Sequence, residues 1–342
     1  MNLLELQTII SKNMSTIDYI KLWPNFKQYK IALYDDQNVY MNGSIFPKTS
    51  LFIGNTSILY QNEHIGIWYI TKDIDKDVLT SKLIHETFHA FQAEHNESRY
   101  PNELTSLLTY QYRADNLSIK RLENNLIVTL IDLFDEETFR QLIELRSMRK
   151  QFYPVEYEYE SRIEQIEGLA NYIELESLKQ LNVDLYEQKL TQMKHSILDP
   201  KNLIPIRIIS YDIGALLIKI IVTNKLGMND SFSKTLFFDP FLCKPSIPIP
   251  YTIDTILLKL VTDYHEDLLK VIEYTLATQS PVLSGHYKLL GLNVYDAKSI
   301  DGYILTTYFF MYEQEGASKL MQGNYLLKMT NELFIQQAYA LI

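Results

Sequence analysis

The sequence predicts an α+β chain: a small N-terminal mostly antiparallel sheet, a mainly helical body and a small C-terminal β unit. Three observations point there. Residues 29–70 form short runs rich in Ile, Tyr and Phe, cut by the turn formers Asp35-Asp36, Asn42-Gly43 and Gly54-Asn55. From about Asp73 the apolar residues Val78, Leu79, Leu83, Ile84, Phe88 and Phe91 recur at helical spacing, and helical patterning then dominates to about residue 275. After Pro281 the chain alternates again, with turns at Asp301-Gly302, Glu315-Gly316 and Gly323-Asn324.

Taken in order, MNLLELQTIISKNMSTIDYIK has Glu5 inside its apolar stretch and neither a basic start nor a small-residue cleavage site, so it reads as a short amphipathic helix and not a signal peptide. The segments YKIALYDD, NVYMNGSIF, SLFIGNTSILY and EHIGIWYI supply the strands of the first sheet. Pro101 and Pro154 mark helix starts, because proline is tolerated in a first turn. Asp135-Glu136-Glu137 is the acidic opening of another helix. FFDPFLCKPSIPIP, residues 237–250, holds four prolines and is expected to be irregular or extended. Residues 281–342 form the C-terminal β unit, and residues 1–280 the main domain.

The 342 residues are 46% hydrophobic, with 25 Tyr and 15 Phe, enough for a sizeable core. A net charge of −10, with both signs interspersed, gives no overall field for a phosphate backbone and argues against a nucleic-acid partner. Cys243 is the single cysteine, which excludes an intrachain disulfide, a cysteine-built zinc site and a CxxC redox centre, and fits a reduced cytoplasm. The most apolar later stretch, Ile204 to Val222, carries Arg207, Asp212 and Lys219, so no membrane span is expected. Oligomeric state is not legible.

Residues 85–95 read HETFHAFQAEH. Residues four apart on a helix lie within about 40° of each other and about 6 Å along the axis, so His85 and His89 point the same way. Two imidazoles so placed can bind one zinc ion, with Glu86 beside it to act on bound water. A third protein ligand is then needed. His95 completes the spacing HExxHxxxxxH of the metzincins, in which a glycine three residues after the second histidine ends the helix. Here Gln92 stands in that position, and a continuing helix carries His95 about 15 Å along the axis from His85. The other region is EYEYESRIEQIEGLANYIELE, residues 156–176, strongly helical with Gly168 inside it. Glycine within a helix costs roughly 1 kcal/mol relative to alanine, which suggests close approach of another backbone or group. Taken alone, the segment reads better as a solvated acidic helix with one tolerated glycine.

At this point the chain resembles the gluzincin metallopeptidases, in particular their aminopeptidase-like branch. That branch pairs HExxH with a glutamate ligand in an EGxA setting on a later helix, and with a tyrosine in a YxxGA-like setting beyond it. This chain has Glu167-Gly168-Leu169-Ala170 and then Tyr211, Gly214 and Ala215, in the family's order. The resemblance covers roughly residues 63–226. It implies a zincin-like core, Zn2+ held by His85, His89 and Glu167, and peptide-bond hydrolysis. In that chemistry Glu86 acts as general base and Tyr211 stabilises the oxyanion. Two departures are plain. Residues 90–166 put 77 positions between His89 and Glu167, where the branch has fewer than two dozen; they read as an inserted pair of helices, about 101–133 and 135–151. No GxMEN segment is present, so aminopeptidase specificity does not carry over.

Asn171, one turn after Glu167, is the expected support for a ligand histidine, with Glu174 as the second choice. In zincins an edge strand beside the site pairs with extended substrate, which makes Ile65, Gly66 and Ile67 candidate substrate-binding residues; a central or covered strand is the competing reading. The expected partner is a peptide or protein substrate. A zincin-fold binding or regulatory protein that keeps the metal without turnover is the alternative, and a helical protein with a chance HExxH a third.

Overall fold

A computed structural model describes residues 3–71, 74–228, 232, 234–244, 251–330 and 332–341. Helix α1 (Leu3–Ser15) buries Leu6, Ile10 and Met14, and a short α2 (Tyr19–Leu22) is capped by Asp18. The first sheet holds β1 (Ile31–Tyr34), β2 (Asn38–Met41), β3 (Ser44–Pro47), β4 (Thr56–Tyr60) and β5 (Glu63–Tyr69) in the order β3-β2-β1-β5-β4. Its pairs are antiparallel except β1 with β5, which is parallel.

Helix α3 (Lys76–Glu94) starts where the carboxylate of Asp75 accepts the backbone N–H groups of Asp77 and Val78. One side, with Leu79, Leu83, Ile84, Phe88 and Phe91, enters the main core. The other lies against β5, so closely that a Cβ on Gly66 would come within 3.0 Å of the Thr87 side chain. The helix is therefore covered on both sides, more than its apolar pattern alone implied.

The sequence reading joins residues 101–133 into one helix; the chain makes two, α4 (Glu103–Thr109) and α5 (Ala114–Asp132). Pro101 stands before Asn102, which caps α4. The break at 110–113 has a side-chain cause. Tyr110 donates to Glu160 at 2.8 Å while the Tyr112 hydroxyl accepts the backbone N–H of Ile206 at 3.1 Å, and this extended stretch places the two phenols on those separate partners. Helix α6 (Glu136–Phe152) packs back on α5, and α7 (Pro154–Ile163) starts on its proline. Residues Glu164–Gly168 form a π turn that runs into α8 (Leu169–Leu181). Then come α9 (Val183–Leu198), a 3-10 turn (Pro200–Leu203) and α10 (Ile206–Thr223). The proline-rich stretch shows a single 3-10 turn, Asp239–Phe241, and its Pro245–Pro250 part lies outside the described residues. Helix α11 (Thr255–Thr278) follows. Among the described residues no helix is long and apolar enough to cross a membrane.

The C-terminal chain forms β6 (Leu283–Leu292), β7 (Lys298–Ile300), β8 (Tyr303–Thr306), β9 (Phe309–Gln314), β10 (Ala317–Gln322), β11 (Tyr325–Met329) and β12 (Phe334–Ala340). They make one antiparallel sheet, β10-β9-β6-β12-β11-β8-β7. It packs back on the helical body: Leu104, Leu107 and Leu108 of α4 join its core, and Ile272 of α11 packs with Leu326 and Tyr339.

Between α5, α6 and α7 lies a cluster of six charges, Lys120, Glu123, Arg146, Arg149, Glu160 and Glu164, each at most 1% exposed. Lys120 reaches Glu164 at 2.9 Å and Glu160 at 3.0 Å; Arg146 meets Glu164, and Arg149 meets Glu160, both at 2.6 Å. Three cations balance three carboxylates, and only such balance keeps buried ions ionised. Lys120→Met leaves a carboxylate uncompensated and should destabilise the protein by about 3–5 kcal/mol, read as a lower midpoint in urea unfolding.

Candidate metal centre

His85 and His89 sit one turn apart on α3, and Glu167 comes from the π turn that packs over it. Their donor atoms converge. The Nε2 atoms of His85 and His89 are 3.1 Å apart, and Glu167 Oε2 lies 3.3 Å from His89 Nε2 and 3.9 Å from His85 Nε2. A tetrahedral ion with bonds of ~2.1 Å needs donor separations of about 3.4 Å. The three residues therefore fit one metal ion, and they are the group of that kind among the described residues.

Each imidazole is held from behind. His89 Nδ1 donates to Gln92 Oε1 at 2.8 Å, which leaves Nε2 as the ligating nitrogen. The same amide, fully buried, donates through Nε2 to the Ile166 carbonyl at 3.2 Å, so Gln92 ties α3 to the turn that carries Glu167. Behind His85, Glu174 Oε2 stands 3.4 Å from Nδ1, within ion-pair reach without a fully formed hydrogen bond. The other Glu174 oxygen faces Lys82 at 3.6 Å and Lys189 at 3.8 Å. Burial would raise the Glu174 carboxyl, but His85 and the two lysines hold it down at about 2.

The π turn reaches α3 because α10 crosses behind it without side chains in the way. A Cβ on Gly168 would lie 2.6 Å from Gly214 Cα, and one on Gly214 would lie 2.7 Å from the Glu164 carbonyl oxygen. The close approach expected at Gly168 is thus to the backbone of Gly214, one turn beyond Tyr211. Tyr211 is brought to the same cavity as His85, His89, Glu86 and Glu167, a space of about 320 Å³. Its hydroxyl accepts from Arg207, which leaves its own O–H available as a donor. Burial, then the Glu167 charge, push the phenol well above its ordinary value. Glu86 lines the cavity free of any ion pair among the described residues, and burial raises its carboxyl against the pull of His85 and His89.

His95 stays outside the metal group, as the missing glycine at Gln92 implies: it ends α3 as its C-cap, its Nδ1 on the Phe91 carbonyl at 2.9 Å and its ring stacked on Phe232. Two expectations change place. Asn171 donates to Asp212 at 3.3 Å on α10, and Glu174 occupies the supporting position instead. Ile65, Gly66 and Ile67 lie in β5, which pairs on both sides and so offers no edge; the edge strand beside it is β4, whose Thr56 and Ser57 line the cavity.

Other residues of the cavity wall had no sequence signal. Glu103 from α4 accepts from Arg207 at 2.9 Å, and the ring of Tyr295, from the loop after β6, lies 4.8 Å from the Arg207 guanidinium. Gln92 and Glu174 did have one: three residues after His89 and seven after Glu167, on the helical faces that carry those candidate ligands. Comparisons of the chain with family models, curated proteins and solved structures found no match.

Two outcomes follow for metal binding. Burial alone would depress His89, yet Glu167 and Glu86 raise it to about 9, while Glu167 is held at about 2. Below pH 9 the ion must therefore displace a proton from His89, and Glu167 needs none removed. Apparent affinity should climb with pH up to about 9, and calorimetry in buffers of different ionisation heat at neutral pH should show about one proton released per ion. Glu174→Gln should weaken metal binding by about 10–100-fold, and Asn171→Ala should leave it unchanged.

Proposed function

We propose that this chain is a zinc-dependent peptidase of gluzincin type, with a zincin-like core. The observation that carries the reading is the convergence of His85, His89 and Glu167 with Glu86 in one cavity beside an edge strand. Two imidazoles and one carboxylate form a donor set typical of catalytic zinc, which keeps a further coordination position open. An ion held there would supply Lewis acidity, toward water and toward a substrate carbonyl.

The side chains divide the remaining work. Glu86, buried beside the two histidines, takes a proton from the attacking water and delivers it to the departing amine. Its raised carboxyl suits a group that must hold that proton between the two steps. Tyr211 keeps its proton under the same burial, and donates to the oxygen that gains charge as the carbonyl becomes tetrahedral. Arg207 and Glu103 fix the phenol from behind. The edge of β4 offers backbone groups that can pair with an extended peptide lying across the cavity.

The test is hydrolysis of peptides by protein loaded with one zinc per chain. Glu86→Gln should retain the metal and lose about 10²–10⁴ in kcat. Tyr211→Phe should retain it and lose about 10²–10³. Unchanged rates in Glu86→Gln would remove the general-base assignment, and stoichiometric zinc without turnover in wild type would leave a metal-holding protein that is no peptidase.

A further inference from the structure

The charges that line the cavity bear on which part of a polypeptide it accepts. An enzyme that acts at a chain end must hold a free ammonium or carboxylate there, and such an ion is accepted away from water only opposite an uncommitted charge of the other sign. Apart from the histidines, Arg207 is the cation among the described residues lining the cavity, and Glu86, Glu103 and Glu167 are its carboxylates.

Arg207 is committed through its N–H groups and flanked by two aromatic rings. Its Nε and Nη2 atoms meet Glu103 at 3.1 and 2.9 Å, Nη2 is 3.6 Å from Glu167, and Nη1 donates to Tyr211. The rings of Tyr211 and Tyr295 lie 5.3 and 4.8 Å from the guanidinium carbon, and only 8% of the residue is exposed. A substrate carboxylate would have to displace two protein carboxylates to use it. Glu103 is equally engaged, with Oε1 on Arg207 and Oε2 accepting from the Tyr159 hydroxyl at 2.8 Å. Glu167 faces the two histidines. Glu86 is left, and it is the base of the proposed reaction.

What the cavity does offer is neutral. Asn55, Thr56 and Ser57 line it, and β4 continues along the sheet edge to Tyr60, three residues beyond. A strand edge of that length pairs with the backbone of an extended segment whatever its ends carry.

We infer that the site takes the interior of an extended polypeptide and not its terminus: an endopeptidase site in which Arg207 is structural wall, closed by Glu103 and by Tyr295 of the C-terminal β unit. The inference rests on the peptidase reading above and is tested separately from it. Zinc-loaded wild-type protein is given random-sequence decapeptides in four forms: free, N-acetylated, C-amidated, and blocked at both ends. Fluorescence anisotropy reads the affinity of the Glu86→Gln variant for the same four. Equal treatment is expected, with kcat/KM and Kd within about threefold across the set. Loss of about tenfold or more on acetylation makes the site an aminopeptidase, and on amidation a carboxypeptidase; either overturns the inference while leaving hydrolysis standing. If no form is cleaved, the peptidase reading fails, and the anisotropy series still decides whether a terminus is recognised. Binding of none of the four forms overturns the inference.

Discussion

The contact between Gly168 and Gly214 is what the candidate site depends on. Side chains on helical surfaces normally hold two axes 8–10 Å apart. Here each glycine would drive a Cβ into the other backbone, so the π turn and α10 meet main chain to main chain. That approach brings Glu167 and Tyr211 to the cavity that His85, Glu86 and His89 of α3 also line. Two helical glycines cost about 2 kcal/mol in conformational freedom, and the cost is offset only where the approach is used. The two short motifs singled out in the sequence, E-G-L-A and Y-D-I-G-A, are therefore the two halves of one contact.

The buried charge cluster serves the same geometry from the far side. Glu160 and Glu164 belong to the helix and turn that lead directly into Glu167, and Lys120, Arg146 and Arg149 come from α5 and α6. Six fully buried ions are a poor source of net stability, since desolvation consumes most of the Coulomb attraction. What they do supply is intolerance of any other register. Sliding the α7 segment by one residue would turn both carboxylates away from their cations and strand charges in the core. The helices that separate His89 from Glu167 in sequence thus fix the position of Glu167 in space.

The local parts of this arrangement were legible and the assembled parts were not. His85, Glu86 and His89 follow from helical spacing, and the alternation of periods separates the two sheets from the helical body. Sequence spacing favours Asn171 over Glu174, because Asn171 lies one turn from Glu167. A residue seven positions on returns to within about 20° of the same direction, whereas one four positions on is about 40° away and on the other side. Here that difference hands Asn171 to Asp212 and Glu174 to His85. Gln92 was read only as the absence of a glycine, although it is the side chain that positions His89. The edge was misplaced for a topological reason. Strand β5 becomes interior through a parallel pairing with β1, some thirty residues upstream, and no local pattern announces a partner at that distance. Glu103 and Tyr295 reach the cavity through tertiary docking alone.

The proton states around Arg207 show why the wall is built from these residues. Glu167 has to stay ionised to serve as a ligand, and Tyr211 has to stay protonated to serve as a donor, yet both are buried and both touch the same guanidinium. Burial opposes the first and favours the second. A lone arginine would help Glu167 but would also pull the phenol toward ionisation. Glu103 pairs with the same guanidinium; the histidines, ahead of Arg207, hold Glu167 at about 2, while burial and the Glu167 charge outweigh Arg207 and keep the Tyr211 proton in place. Because Glu103 opens α4, the helix on which the C-terminal sheet docks, that helix and the β unit both bear on the balance.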